Sequence, residues 1–384
     1  MKRNTMWTVI YCAFGLYMNL SCNDLEVVHC NSMNLETHEI KLVDSVFFDI
    51  DKYSNNDEMK FFYNEHKEKS YFGFHNPIKH ALYIYDYHSS SLLTTIALDK
   101  EGPNAISNSI NSLYVINVDS IVIAEGMTGK LKLISQNNHI LSEFQTQPAT
   151  NNHCRGPIVS NMAKPIIFHD NKLYFVTFIA GVEPITDQTN FHNAAVVDLK
   201  DGNVNSFLYR PEIYNTGQYG LFACYQLFCT PNLSNTGILY SFGLSKEIIE
   251  IPFDDLTTSN SYCMGSEFIS DIIPYSDLKD KQINNLPKIQ SYDETTSFYS
   301  NIYNLPSSNS YIRINTIGIS SIDDQRKESI SIFDNNFQKI GENVINDDVK
   351  YGYHIFSNQK GLHIMKKDQL EDRIEFYIYN IKPK

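Results

Sequence analysis

The side chains best suited to chemistry in this 384-residue chain are few: three Asp-Asp pairs and a scatter of histidines. The pairs are Asp254-Asp255, Asp323-Asp324 and Asp347-Asp348. General acid/base catalysis needs two such groups facing one cleft at a controlled separation. Neighbours in a strand face opposite ways, and Asp is favoured at turns because its side chain bonds nearby backbone N–H groups, so all three pairs are assigned to turns. Asp49 and Asp51 are spaced like the start of a calcium loop, but Tyr53 stands where the next oxygen ligand belongs and the required Gly is missing. Ser276-Asp277-Leu278-Lys279 and Ser357-Asn358-Gln359-Lys360 both spell S-x-x-K without the S-D-N or K-T-G companions of penicillin-recognising enzymes. No G-x-S-x-G, H-E-x-x-H or P-loop occurs. His75 with His80, and His153 with Cys154, could in principle meet a metal, but neither pair has a zinc-site spacing. No metal or other cofactor is expected.

The remaining candidate is a binding group. His153-Cys154-Arg155-Gly156-Pro157 reads as a loop, and a guanidinium grips a carboxylate or sulfate through paired hydrogen bonds. Together with Tyr219, Tyr353 and His354, the residues Arg155 and His153 are expected to form an aromatic-lined ligand pocket with one cation, provided the fold carries them to a shared axis.

The elements that would do so recur as hairpins. Leu82-Tyr83-Ile84-Tyr85-Asp86 turns into Leu92 to Leu98, and Ser120 to Ile123 leads through Leu131 to Ile134 into Ile140 to Phe144. Later copies run from Leu173 to Tyr209, from Gly237 to Phe253, from Tyr311 to Ile340 and from Leu362 to Tyr379. Hairpin groups at this spacing predict an all-β, six-bladed β-propeller of four-stranded antiparallel blades, each too thin to bury both faces alone. Ile40 to Phe47 is expected to complete the last blade and close the ring, which protects the sheet edges. Tyr71-Phe72-Gly73-Phe74-His75, Tyr219-Gly220-Leu221-Phe222 and Tyr351-Gly352-Tyr353-His354 read as a shared opening of inner strands, where Gly permits close approach. Two stretches fall outside the pattern. Lys52 to Lys69 reads as a charged crossing, and Thr257 to Ser297 as a rim insertion with Ser276 capping a helix that ends before Pro287.

Residues 1–21 read as an export signal: Lys2 and Arg3, an apolar run from Trp7 to Leu20, then Leu20-Ser21-Cys22. The run is too short to span a bilayer. Cys22 is the expected lipid-attachment site even though Asn19 occupies the usual aliphatic position, with residues 22–38 as tether and 39–384 as the propeller. Asn23-Asp24-Leu25-Glu26 resembles an acidic surface-export lead-in, so the expected address is the outer membrane of the cell envelope, periplasmic or surface-facing. The net charge of −13 argues against nucleic acid, whose phosphates demand clustered Lys and Arg. Once Cys12 is removed and Cys22 lipidated, five cysteines remain, so at least one is free. Cys224 and Cys229 are read as opposite-facing residues of one strand.

The Tyr-Ile-Tyr-Asp hairpin at 83–86, the Glu101-Gly102-Pro103-Asn104 turn and the Val118-Asp119-Ser120-Ile121 blade entry resemble an uncharacterised family of Bacteroidetes lipoproteins. That family is similar to TolB-like and NHL-like six-bladed propellers. The resemblance implies fold and address and carries no catalytic residue. The expectation for function is an envelope binding or scaffolding module for a glycan, peptide or protein partner; the competing class is a carbohydrate-active hydrolase or lyase, since fold alone does not decide.

Overall fold

The middle strands are buried without alternation: Leu82, Tyr83, Ile84 and Tyr85 are all buried, as are Leu239, Tyr240, Ser241 and Phe242. A strand reads this way when both faces of its sheet are covered. A computed structural model shows how. It describes residues 37–52, 54, 59–126, 128–146, 158–177, 192–220, 223–276, 286–319, 326–345 and 354–384.

Six four-stranded antiparallel sheets follow one another along the chain. After β1 (His38–Asp49), blade one is β2 (Lys60–His66), β3 (Lys69–Asn76), β4 (Ala81–Asp86) and β5 (Leu92–Ala97). Blade two is β6 (Ile110–Asn117), β7 (Ser120–Glu125), β8 (Lys130–Ile134) and β9 (Ile140–Gln145). Blade three is β10 (Ile167–His169), β11 (Lys172–Val176), β12 (His192–Asp198) and β13 (Val204–Tyr209). Blade four is β14 (Leu227–Pro231), β15 (Gly237–Phe242), β16 (Glu247–Pro252) and β17 (Asn260–Cys263). A helix, α1 (Leu286–Thr295), precedes blade five, which is β18 (Phe298–Leu305), β19 (Ser310–Ile317), β20 (Lys327–Asp334) and β21 (Lys339–Val344). Blade six is β22 (Ile355–Asn358), β23 (Gly361–Met365) and β24 (Arg373–Pro383), with β1 as its outermost strand. β1 pairs with β24 from His38↔Pro383 to Asp49↔Arg373, through a bulge at Leu42/Asp44. The ring is therefore closed by joining the two ends of the propeller, as the sequence predicts.

Six hydrophobic clusters fill the six blade interfaces, one each. Alternate residues of one strand serve opposite neighbours: Leu82 and Ile84 pack on blade two, Tyr83 and Tyr85 on blade six. This division explains the continuous apolar runs. The first strands are the inner ones, since β2 meets β6, β14 meets β18 and β18 meets β22, while the fourth strands β5 and β9 are largely exposed.

Near the axis, polar side chains tie blade to blade. Asn64 exchanges two hydrogen bonds with the Val115 backbone, both 2.9 Å, and Asn111 Nδ2 donates to the Ile158 carbonyl at 2.6 Å. Lys164 donates to Gln226 Oε1. Asn304 Nδ2 reaches the Pro231 carbonyl, Ser357 donates to Asn304 Oδ1, and Asn358 Nδ2 reaches the Tyr63 hydroxyl. The third strands of blades one, three and five end in Asp86, Asp198 and Asp334. Each carboxylate accepts a backbone N–H of its own turn, at 2.8 Å from Ser89, 2.8 Å from Lys200 and 2.9 Å from Asn336. Such side-chain bonds favour Asp at turns.

Several expectations are corrected. The Lys52–Lys69 stretch is not merely a crossing, because Lys60–His66 is the inner strand of blade one and buries Phe61, Phe62 and Tyr63. Its charged ends masked an apolar centre. The 257–297 stretch is not wholly an insertion either: Asn260–Cys263 is the outer strand of blade four, and Met264 and Ile289 are buried. The helix contains Pro287 instead of ending before it, consistent with the tolerance of Pro in a first turn, and Ser276 forms a bridge with Gln218. Tyr71–His75 belongs to a second strand, and Tyr219 lies before a short 3-10 turn at Ala223–Tyr225, so no common inner-strand opening exists. Cys224 sits in that turn and Cys229 in β14, both free and buried, whereas Cys263 is disulfide-bonded.

Candidate functional site

Blade three turns from β10 to β11 through Asp170 and Asn171 alone, both left-handed at φ 50° and 62°. That is a tight two-residue hairpin of the type that favours Asp and Asn. On the same end of blade four the connections are longer, through residues 232–236 and 253–259. A short turn beside two tall ones leaves a step, and the step is a cleft of about 570 Å³ between the two blades.

Its apolar wall is aromatic. The His169 and Phe253 rings lie parallel, centroids 3.9 Å apart and planes 8° apart, with Tyr174 behind Phe253 at 5.0 Å. Part of the polar wall is braced from behind. Glu250 accepts from Asn232 Nδ2 at 2.7 Å and from the Tyr262 hydroxyl at 2.8 Å, and Asn232 Oδ1 accepts the Thr236 N–H at 2.8 Å. Burial, then the Glu250 carboxylate, pushes the Tyr262 phenol up to about 12, so it stays a donor. The other polar lining groups are uncommitted. Among the described residues, the side chains of Asp170, Lys172, Asn235, Asp254 and Asn260 make no hydrogen bond or ion pair with the protein. The cleft thus presents held acceptors, free acceptors, free amides and one ammonium beside a flat ring surface, which is the equipment of a small polar-ligand site.

Of the residues singled out from sequence, Cys22, His153, Arg155 and Tyr353 lie outside the described residues. Tyr219 is buried between blades three and four with Tyr214 and Tyr225; its N–H donates to the Tyr225 hydroxyl at 3.3 Å, and burial raises its phenol. His354 is half-buried at the entry to β22, its ring edge-on to Phe61 at 5.5 Å. These two residues therefore serve different blade interfaces.

Asp255 accepts the Thr257 N–H and hydroxyl at 2.9 and 2.6 Å, a turn role as expected, and the other two carboxylate pairs lie outside the described residues. His75 Nε2 and His80 Nδ1 do meet, at 3.4 Å, but His80 Nε2 is spent on the Ile106 carbonyl at 2.9 Å. Burial lowers His75 to about 4, and among the described residues no third His, Cys, Asp or Glu joins the pair. Arg313, fully buried, spends its donors on Ser241 Oγ and the carbonyls of Phe242, Ser245, Lys246 and Met264. It is a bolt between blades four and five. Sequence reasoning missed the cleft because each of its residues reads as an ordinary turn; the contrast in turn length between adjacent blades was the available signal.

The sequence profile of DUF4221, a domain of unknown function, matches residues 33–344. A solved structure of a DUF4221 member from Bacteroides vulgatus is 18% identical, covers 91% of this chain and 100% of its own, and superposes with a TM-score of 0.75. A putative exported protein from Bacteroides fragilis is 11% identical, with 90% and 95% of the two chains covered and a TM-score of 0.54. At these identities the likeness concerns the fold. No curated protein matches the chain.

Proposed function

The chain belongs to the DUF4221 family, and we propose that it is a binding module of the cell envelope, held to the outer membrane by lipid on Cys22 and taking its ligand in the cleft between blades three and four. The observation that carries this reading is the cleft itself: uncommitted Asp170, Lys172, Asn235, Asp254 and Asn260 gathered around a His169–Phe253 stack. Groups left unbonded need break no protein hydrogen bond to receive a ligand, although each side chain that is fixed gives up rotamer freedom. The address rests on the signal anatomy of residues 1–22 and implies release of the protein from membranes by Cys22→Ala.

The test is a binding screen of the full chain against envelope glycans and peptides, repeated with Phe253→Ala. The variant removes the ring that joins His169 to Tyr174 and is expected to abolish capture while leaving the unfolding midpoint within a few degrees. A ligand retained unchanged by Phe253→Ala and by Asp254→Asn would place binding elsewhere and end the cleft reading.

A further inference from the structure

The lining chemistry of the cleft points to one class of ligand. Resting on the reading of this cleft as a binding site, we propose that it receives an uncharged sugar ring of a glycan. Three observations support this. First, the carboxylates of Asp170, Glu250 and Asp254 outnumber the single ammonium of Lys172, so phosphate, sulfate or uronate groups meet net repulsion. Second, the free groups are mixed. Asp170 and Asp254 only accept, Lys172 only donates, and the Asn235 and Asn260 amides do both. A sugar hydroxyl also does both, so a row of them can satisfy this set, whereas a lysine or arginine side chain of a peptide only donates and would meet Lys172 as a like charge. Third, the His169 and Phe253 rings, stacked with centroids 3.9 Å apart, cover each other's inner faces and line the cleft with the outer surface of an aromatic pair beside those groups. A pyranose has the matching form, with C–H bonds on its faces and hydroxyls at its rim. Of the free groups, Asp170, Asn235 and Asp254 stand on turns and Lys172 and Asn260 at the first residues of β11 and β17, so the cleft offers side chains at the mouths of turns, whereas an extended peptide added to a sheet is held by the backbone of a strand edge.

The experiment is isothermal titration of the full chain with hexasaccharides of glucose, mannose and N-acetylglucosamine, with tetragalacturonate, and with a lysine-rich heptapeptide. At least one neutral hexasaccharide is expected to bind, and the galacturonate and the peptide are not. Asp254→Asn and Asn260→Ala are each expected to weaken it by about tenfold, the scale of one lost hydrogen bond to a ligand. Both side chains are exposed, Asp254 on a turn and Asn260 at the first residue of β17, so loss of folding does not confuse the result. Saturation by none of the three neutral sugars up to about 1 mM, a scale of weak specific binding, overturns the proposal. So does galacturonate binding as well as the best neutral sugar. Capture of the peptide with loss on Phe253→Ala overturns the sugar assignment while leaving the cleft as the binding site.

Discussion

Glu328 offers a sharp test of how the blades pack. It stands in β20 opposite Thr316, two residues before Ile330 and four before Ile332, and these isoleucines turn toward blade six. Its Oε2 is buried with no hydrogen-bond partner. Burial raises the carboxyl from its ordinary 4.5 to about 7, against the opposing pull of Arg326. The unfolded chain therefore releases this proton near pH 4.5 and the folded chain holds it until about 7. Between those values the unfolded state binds fewer protons, so the contribution to stability is full below 4.5 and is lost as pH rises through 7. At roughly 1.4 kcal/mol per pKa unit the complete loss is about 3 kcal/mol. Glu328→Gln keeps the shape and removes the ionisation. Urea unfolding at pH 4 and pH 8 is the assay, with equal slopes required of the two proteins. The variant is expected to match the wild type within about 0.5 kcal/mol at pH 4 and to exceed it by about 2–3 kcal/mol at pH 8. An effect of the same size at both pH values, or a loss of stability at pH 8, refutes the placement of this carboxyl in a dry interface.

Other perturbations probe the remaining joints. His363, buried against Tyr87 and held by burial at about 3, cannot easily take the proton that the unfolded chain accepts near 6.5, so stability should fall as pH drops from 6.5 toward 4. His363→Phe should flatten that slope in pH-resolved urea midpoints. Arg313→Ala takes the side-chain donor from four backbone carbonyls, of which those of Phe242 and Lys246 keep a backbone N–H and those of Ser245 and Met264 do not, and with the cavity it leaves should cost about 3–5 kcal/mol. Gly73→Ala would set a Cβ 2.2 Å from the Tyr83 carbonyl oxygen and should cost about 1–3 kcal/mol, whereas Gly102→Ala meets nothing within 4 Å and should cost less despite its φ of +92°. Asn304→Ala severs a link across blades four, five and six and should cost about 2 kcal/mol in thermal or urea unfolding.

What the sequence displayed of the fold was its two-sided strands. Leu82 to Tyr85 is apolar throughout, and Ile330, Ile332 and Phe333 nearly fill their run, because these residues each face one of two neighbouring blades. Turn residues marked where they end, as with Asp86, Asp198 and Asp334. The inner strands were harder to see. β2 is flanked by Lys60 and Glu65, and β14 and β18 carry Thr230, Asn301 and Asn304. Polar residues at those positions look like loop, yet Thr230 and Asn304 are ties that hold one inner strand to the next. The axis of a propeller is crowded with backbone, and amide side chains satisfy it where apolar ones could not.

The site was hidden for a related reason. All six blade interfaces are filled by the same kind of cluster, so packing alone makes every interface equivalent, and a binding place arises only where two adjacent blades differ. Blades three and four differ in the turns at one end: Asp170-Asn171 is as short as a hairpin allows, while residues 232–236 and 253–259 stand beside it. Composition does not betray this, since Asp, Asn and Thr populate deep and shallow turns alike. What distinguishes the cleft is which of those side chains are spent. Asn232 is consumed by Glu250 and its own turn, whereas Asn235 and Asn260, of the same residue type, are not. Lengthening the blade-three turn by inserting two residues between Asp170 and Asn171 should therefore fill the step. It should abolish ligand capture without altering any residue of the blade-four wall, and the urea midpoint should change little because surface turns tolerate insertion. Capture that survives the insertion would mean that the height difference between the turns does not create the site.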